Sequence, residues 1–456
     1  MQIQLSDHFT YRRLLRFVFP SVMMMIFVSI AEIVDGYFVS NFAGKTPFAA
    51  LNLIWPYFGI MGTVGFMFGT GGSALISKTL GEGDEERARR YFSLIVYTAI
   101  AAGVILMVIG IATTPAVARL LGAEGEMLTG AVEYGRILMI SLPAFILAYL
   151  FQSLFVTAEK PKTGLAVMAV SVCTNIALDV VFIAVLGLGL AGAAGATVIA
   201  EFVGGITPLV YFIRRKGNSR TAAGRKRQAR AIKLYLTKTK FEPKVLGRTC
   251  YNGLSELAAN VSVSVVSMLY NVQLLKLVGE NGVAAYGVLM YISVIFSAVF
   301  MGYSVGSAPI IGYHYGARNT AELHSMFGKS LKIVAVSGVC MAVFGIVCAR
   351  PLALIFVSYD AELLELTIRA IRFYAVSYLL CGFNIFASSF FTALSNGAVS
   401  ATISVLRTFV FQVLCVLLLP VLFGIDGIWL ALTAAELLAL IVSIFFFARM
   451  RGKYQY

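Results

Sequence analysis

The stretch CTNIALDVVFIAVLGLGLAGAAGATVIAE, from Cys173 to Glu201, contains two apolar runs joined by a glycine-rich turn. Asn175 and Asp179 lie four residues apart in the first run, which places both side chains on one face of a helix. The second run adds Thr197. An ionisable residue within hydrocarbon is costly and indicates a functional site. These oxygen-bearing side chains are suited to binding a hard cation or a proton.

The composition predicts a membrane protein with many spans. Of 456 residues, 59% are hydrophobic and 13% are charged, and the mean hydropathy is +0.87. Soluble domains contain about 45–50% apolar and about 25% charged residues. The net charge of +14 arises from basic residues between apolar runs, so it indicates membrane orientation rather than nucleic-acid binding.

Apolar runs long enough to cross a bilayer occur twelve times and predict an all-α fold. The predicted spans are 14–39, 48–77, 91–118, 129–156, 163–186, 190–213, 249–278, 283–311, 333–357, 366–394, 399–422 and 425–448. The long basic segment 214–248 divides them six and six. We therefore predict an N-lobe at 1–213, a cytoplasmic linker at 214–248 that either fixes topology or binds anionic lipid, and a C-lobe at 249–456.

The distribution of basic residues predicts the orientation. If both termini are cytoplasmic, 28 of the 36 Lys and Arg residues fall on the cytoplasmic side, seven fall outside, and Arg407 lies within a span. Cytoplasmic loops of membrane proteins carry such an excess. The chain is therefore expected in the plasma membrane with both termini cytoplasmic. We also expect it to be a monomer.

An internal repeat supports the two-lobe division, because one constant offset along the chain aligns the two halves. The offset matches Gly192, Ala196, Ala200 and Glu201 with Gly427, Ala431, Ala435 and Glu436, and it matches Gly81 and Asp84 with Gly316 and Asn319. We call it the repeat offset. Six spans per repeat place the two halves in the same orientation, with the substrate expected between them near the midplane.

Two acids in the first predicted span, Glu32 and Asp35, are three residues apart and share a helix face. Two carboxylates that close cannot both remain ionised at low cost in a low-dielectric environment. The pair is suited to binding a proton or sharing a cation, or else it is solvated at the outer helix end. At the repeat offset, Asp35, Asn175, Asp179 and Thr197 all correspond to apolar or aromatic residues. Any ion site built from them belongs to the N-lobe.

The C-lobe carries its own charges within spans. Glu256 is a candidate acid of the central cavity, and Arg407 is expected to snorkel or to pair with an acid. Glu201 and Glu436 occupy equivalent repeat positions, so both are predicted to be structural. The three histidines lie in or beside loops, and no P-loop, nucleophile motif or metal-ligand cluster is present. The sequence therefore predicts neither an enzyme nor a bound cofactor.

Several segments resemble the multidrug and toxic compound extrusion (MATE) transporters along the whole chain. They are Pro20, Asp35 followed by GYFVSNFAG, AALNLIWP from Ala49 to Pro56, GTGGSALISKTLGEGD from Gly69 to Asp84, the Asn175/Asp179 pair, and GAAGATVIAE from Gly192. The resemblance implies a drug or cation antiporter of two six-helix lobes, driven by Na⁺ or H⁺.

The resemblance also implies that Asp35, Asn175, Asp179 and Thr197 bind the coupling cation. Glu32 departs from the family pattern, because many members carry an uncharged Asn there. Glu256 lies earlier in its span than the Glu that one branch uses, and an acid of the tenth span is missing. Coupling is therefore expected in the N-lobe.

The sequence thus predicts export of amphipathic or cationic small molecules by alternating access. The runner-up is a flippase for a lipid-linked precursor, which would need a cationic cavity, and Arg407 is its one obvious candidate residue. A major facilitator transporter shares the six-plus-six plan, but the loop GEGDEERARRYF after the second span lacks the expected signature. A membrane enzyme is the least favoured class.

Overall fold

A computed structural model describes residues 3–39, 42, 45–218, 234–358 and 360–456, and these residues form helices and connecting turns without strands. The N-lobe helices are α1 Tyr11–Phe38, α2 Lys45–Gly81, α3 Glu85–Leu120, α4 Gly125–Ile140, α5 Leu142–Thr157, α6 Pro161–Asp179 and α7 Gly189–Asn218. The C-lobe helices are α8 Pro243–Leu277, α9 Glu280–Gly316, α10 Thr320–Val347, α11 Ala349–Val357, α12 Ala361–Val376, α13 Tyr378–Ala393, α14 Gly397–Val405 and α15 Phe411–Tyr454. Two π-helical segments, Val180–Val185 and Leu406–Val410, extend α6 and α14.

The described helices provide the twelve predicted spans. Nine are long and apolar enough to cross a membrane, and the pairs α4/α5 and α12/α13 bring the number to eleven when each pair is one span. The stretch from α14 through α15 is 58 residues long and bends at Gly424, whose φ of 58° lies in the left-handed region. Dividing it there gives twelve spans, because glycine adopts this conformation without steric cost. The predicted all-α fold is confirmed.

Two predicted spans, 129–156 and 366–394, are bent rather than straight. The bends are 54° between α4 and α5 and 47° between α12 and α13. Ser141 and Ser377 lie at the breaks, and each hydroxyl donates a hydrogen bond to the carbonyl three residues earlier, at 2.8 and 2.7 Å. The side chain thereby satisfies a carbonyl at the break, which would otherwise be costly within a membrane.

Several predicted helix bounds are too short. The ninth predicted span, 333–357, begins in the structure at Thr320, because the Asn319 side chain caps α10 by accepting from the Glu322 N–H. Asp84 caps α3 in the same way, in agreement with the repeat. α7 and α8 also extend into the predicted linker, ending at Asn218 and beginning at Pro243. The middle of that linker lies outside the described residues.

Both chain ends lie at one end of the bundle, which we name the terminal end. The Phe9 N–H donates to Glu322 in the first turn of α10, at 2.9 Å. The ring of Tyr456 packs against Phe327 of the same helix, with ring centroids 4.8 Å apart.

The two lobes meet closely at the terminal end through glycines. A Cβ placed on Gly81 of α2 would lie 2.0 Å from the Tyr313 carbonyl oxygen of α9, and one on Gly316 would lie 2.0 Å from the Lys78 carbonyl oxygen. Gly81 and Gly316, like Lys78 and Tyr313, are related by the repeat offset. The contact therefore follows the two-fold symmetry of the repeat, and it requires residues without a side chain on both helices.

Candidate functional site

A cavity of about 70 Å³, partly open to its surroundings, lies within the N-lobe between α1, α2, α5, α6 and α7. Its lining residues are Val28, Ala31, Glu32, Asp35, Trp55, Phe145, Ala148, Tyr149, Met168, Ser171, Val172, Asn175, Thr197, Ala200 and Glu201. Four of the five N-lobe residues predicted to bind the coupling ion therefore line one cavity.

The fifth, Asp179, lies beside this cavity and is fully buried. It is the last residue of α6, where the helix changes to the π-helical segment. Such segments are frequent at functional sites. The charges of Asp179 and Asp35 interact, so the structure brings these two carboxylates together although they lie on different helices that are distant in sequence.

The buried oxygen atoms of this region lack hydrogen-bond partners among the described residues. These atoms are Oδ1 of Asp35, both carboxylate oxygens of Asp179 and Oγ1 of Thr197. All three residues are buried, and buried polar groups in proteins are nearly always satisfied. Thr197 could have bonded its own helix backbone, but it does not. These oxygens therefore require a ligand such as a cation, a proton or water.

The donor set fits Na⁺ or H⁺ rather than a transition metal. Carboxylate, amide and hydroxyl oxygens are the ligands of hard cations. Within the described part of the chain, no three His, Cys, Asp or Glu side chains converge on one point. The predicted Na⁺ ligands are the carboxylates of Asp35 and Asp179 together with Asn175 and Thr197, and Glu32 completes the predicted coupling set.

Two further acids, Glu32 and Glu201, lie in the cavity lining. Glu32 is exposed to the cavity, one turn before the buried Asp35, and its charge interacts with those of both Asp35 and Glu201. Asp179, Asp35, Glu32 and Glu201 thus form a chain of neighbouring carboxylates. Tyr134 is buried beside the Asp35–Asp179 pair.

Glu201 was predicted to be structural, but the structure places it in the cavity lining. Its repeat equivalent, Glu436, does have a structural environment. Arg407 Nε donates to Glu436 Oε1 at 2.8 Å, and Asn384 Nδ2 donates to Glu436 Oε2 at 2.7 Å. At the repeat offset, Arg407 corresponds to Val172. The sequence therefore contained a signal that Glu201 lacks a basic partner.

In the C-lobe, an aromatic pair occupies the position that corresponds to Asp35. Tyr270, which corresponds to Asp35, stacks on Tyr286 with ring centroids 4.8 Å apart. Glu256 lies neither here nor in the N-lobe cavity. It lines a separate, small cavity between the lobes.

Two lobes, nine to eleven apolar spans among the described residues and an acidic cavity define a multi-spanning membrane transporter. The MatE family model matches residues 20–181 and again residues 257–418. The chain therefore belongs to the MatE family, whose members are transporters and not enzymes. The two matches are equally long, and they repeat the two-lobe organisation.

Curated relatives and solved structures agree with this family. The multidrug export protein MepA of Staphylococcus haemolyticus is 24% identical over 444 residues, which cover 97% of this chain and 94% of that protein. A MATE crystal structure in complex with MaL6 superposes with a TM-score of 0.89, 22% identity and 97% coverage of both chains. An outward-facing multidrug resistance MATE transporter superposes with a TM-score of 0.88 and 23% identity, and the match covers 99% of this chain and 97% of that one.

Proposed function

We propose that this protein exports amphipathic, cationic small molecules in exchange for Na⁺ or H⁺, by alternating access. The observation that carries the proposal is the set of buried, unpartnered oxygens on Asp35, Asp179 and Thr197. With Asn175 and Glu32 they offer a proton or a hard cation several neighbouring oxygens. The ion would neutralise charge that is otherwise costly within the membrane.

The cavity wall supports an organic cation as cargo. Phe145 and Tyr149 pack edge to face with ring centroids 4.6 Å apart, and Trp55 lines the same cavity. Aromatic faces attract cations, and this attraction increases when water is excluded. Glu32 and Glu201 supply negative charge beside these rings. The name of the curated relatives, multidrug export protein, agrees with such a cargo.

The adjacency of the acids provides a basis for exchange. Because Glu32 and Asp35 interact, a cationic cargo at Glu32 and an ion at Asp35 and Asp179 compete for the same negative charge. Binding of one therefore weakens binding of the other. A ligand shifts a conformational equilibrium only through different affinities for the two states, and the ion would favour the state that releases the cargo.

In the proposed orientation, the terminal end lies in the cytoplasm. The transporter would be a monomer in the plasma membrane. The basic residues on that side support this orientation. The lobes meet there through Gly81 and Gly316, so the structure would correspond to a state closed to the cytoplasm. The linker 214–248 would join the lobes on the cytoplasmic face.

The test uses purified protein in liposomes preloaded with a fluorescent lipophilic cation. A Na⁺ gradient alone and a pH gradient alone are imposed on wild type and on Asp179→Asn. Cation movement under one gradient, lost in the variant, supports the proposal and identifies the ion. Movement under neither gradient, or equal movement in both proteins, contradicts it.

The lipid-linked precursor flippase is not favoured. Its headgroup would need a free basic residue in the central cavity, and Arg407 is bound to Glu436 instead.

A further inference from the structure

A second polar cavity lies between the lobes, where α2 and α5 face α8, α9 and α13. It is small, with room for about one water molecule. Its polar lining combines one carboxylate with five hydroxyl groups, from Glu256, Thr70, Ser73, Ser153, Ser389 and Thr392. Both lobes contribute to this lining.

The cavity lies beside the two-fold axis of the repeat. Thr70 and Val305 both line it, as do Ser73 and Ala308, and the members of each pair are related by the repeat offset. Equivalent residues meet across a cavity only near the axis that relates them. Ser73 precedes Gly81 by about two helical turns, so the cavity lies just inside the contact at the terminal end.

Two of its hydroxyl groups use their protons elsewhere. Thr70 donates to the backbone carbonyl of Phe66 at 3.0 Å, and Ser389 donates to the carbonyl of Ser304 at 3.3 Å. A hydroxyl group has one proton and two lone pairs. Thr70 and Ser389 therefore present acceptors to the cavity.

Ser73 also presents an acceptor to the cavity. Its Oγ lies 2.7 Å from Thr157 Oγ1, and Thr157 already donates its proton to the Ser153 carbonyl at 3.1 Å. Ser73 must therefore be the donor of the bond to Thr157. Three of the five hydroxyls thus offer lone pairs, and an anion or a second acceptor in the cavity would be repelled.

The Glu256 carboxylate lacks a cation in contact. Its charge interacts with that of Arg407, but Arg407 donates to Glu436 at 2.8 Å. In the ranges that the structure describes, no hydrogen bond or ion pair reaches the Glu256 carboxylate. The cavity therefore combines a carboxylate that has no cation in contact with several oxygen acceptors.

We infer that this cavity binds one monovalent hard cation, Na⁺, through Glu256 and the hydroxyl oxygens of both lobes. All its ligands are oxygens, as hard cations require. Because both lobes supply ligands, the site is complete only when the lobes meet at the terminal end, and Na⁺ stabilises that arrangement. The site is separate from the N-lobe acids and does not depend on their proposed role.

The test measures sodium-22 binding to purified full-length protein in choline chloride of constant ionic strength. An Asp179→Asn background removes the N-lobe acid, so that failure of the N-lobe proposal does not affect the result. We expect about one Na⁺ per polypeptide in this background and none after Glu256→Gln is added. Adding Glu86→Gln instead, at a carboxylate that is 81% exposed on α3, should leave binding unchanged.

Absence of Na⁺ binding in the Asp179→Asn background, or full binding after Glu256→Gln, overturns the inference. Size-exclusion profiles show whether each variant is folded. If Glu256→Gln does not fold, Na⁺ binding is measured instead on the Asp179→Asn protein with Thr70→Val added. Thr70→Val removes one ligand oxygen and keeps the side-chain volume. At least tenfold weaker Na⁺ binding supports the site, and unchanged affinity contradicts it.

Discussion

The two lobes hold one equivalent acid in opposite environments. In the C-lobe, Glu436 is 1% exposed, and both of its carboxylate oxygens accept hydrogen bonds, from Arg407 and Asn384. In the N-lobe, Glu201 lines an open acidic cavity. The same helix position thus contributes to structure in one half and to a candidate binding site in the other.

The difference arises from two partner positions. Arg407 is replaced by Val172 and Asn384 by Tyr149 in the N-lobe, and both replacements line the cavity. The first change removes the neutralising cation, and the second puts an aromatic face in place of an amide donor. In a duplicated membrane fold, the partners of an acid therefore indicate its role better than the acid itself does.

The largest effect is expected from removing one N-lobe charge. Asp179→Asn keeps the shape of the side chain but removes the proposed anionic ligand of the coupling ion. Gradient-driven transport in liposomes should fall at least about 100-fold, or about 2.8 kcal/mol. The melting temperature should not fall, because the carboxylate has no partner among the described residues. Transport above one tenth of the wild-type rate would contradict the assignment.

Converting the N-lobe pattern to that of the C-lobe should also impair transport. Val172→Arg places a guanidinium where Arg407 lies in the repeat, so that it neutralises Glu201 and repels a cationic cargo. We expect at least tenfold weaker binding of a lipophilic cation, measured by fluorescence titration. Val172→Met is the matched control, since it adds length without charge. If Val172→Arg and Val172→Met bind the lipophilic cation equally well, the absence of a basic side chain beside Glu201 does not explain the difference between the lobes.

The C-lobe acid should affect stability instead. Glu436→Gln leaves Arg407 without its carboxylate, and breaking a buried ion pair costs about 3–5 kcal/mol. The melting temperature in detergent should fall, and Arg407→Met added to Glu436→Gln should restore most of it. Transport per folded molecule should stay within about twofold of wild type. A loss of transport without a loss of stability would assign Glu436 to the transport chemistry.

The smallest effect is expected from substitutions at the glycine contact of the terminal end, where the two lobes contribute equivalent residues. Gly81→Ala and Gly316→Ala each place a Cβ against a backbone carbonyl of the other lobe, so each should loosen the terminal end. With Ser77→Cys as a reporter in a cysteine-free protein, maleimide labelling should become a few-fold faster. The two substitutions should have effects of equal size, and a clear difference between them would show that this contact is not symmetric.

Much of the fold was predictable, because the hydropathy of each segment and the matches between the two halves can be read directly from the amino-acid sequence. The bends at Ser141 and Ser377 were not, since a broken span has the same composition as a straight one. In the candidate site, the spacing of Asn175 and Asp179 was sufficient to single them out as a prediction. Glu201 was not singled out, because its repeat position was compared with Glu436 without comparing their partners.

The hydroxyl groups that surround Glu256 could not be predicted from the sequence. Its cavity is assembled from five helices of both lobes, and a spacing rule within one helix contains no information on how two lobes dock. The aromatic residues of the N-lobe cavity, Trp55, Phe145 and Tyr149, could not be singled out either. Many Phe and Tyr residues along the chain simply pack between helices.

Ion release on cargo binding tests most directly whether the N-lobe acids perform the exchange. A lipophilic cation is added to purified protein in weak buffer, and released H⁺ and Na⁺ are measured together. Wild type and Glu436→Gln should each release about one ion per bound cation, and Asp179→Asn should release none. Equal release from Asp179→Asn would contradict the account, because exchange would then occur without the carboxylate on which it is built.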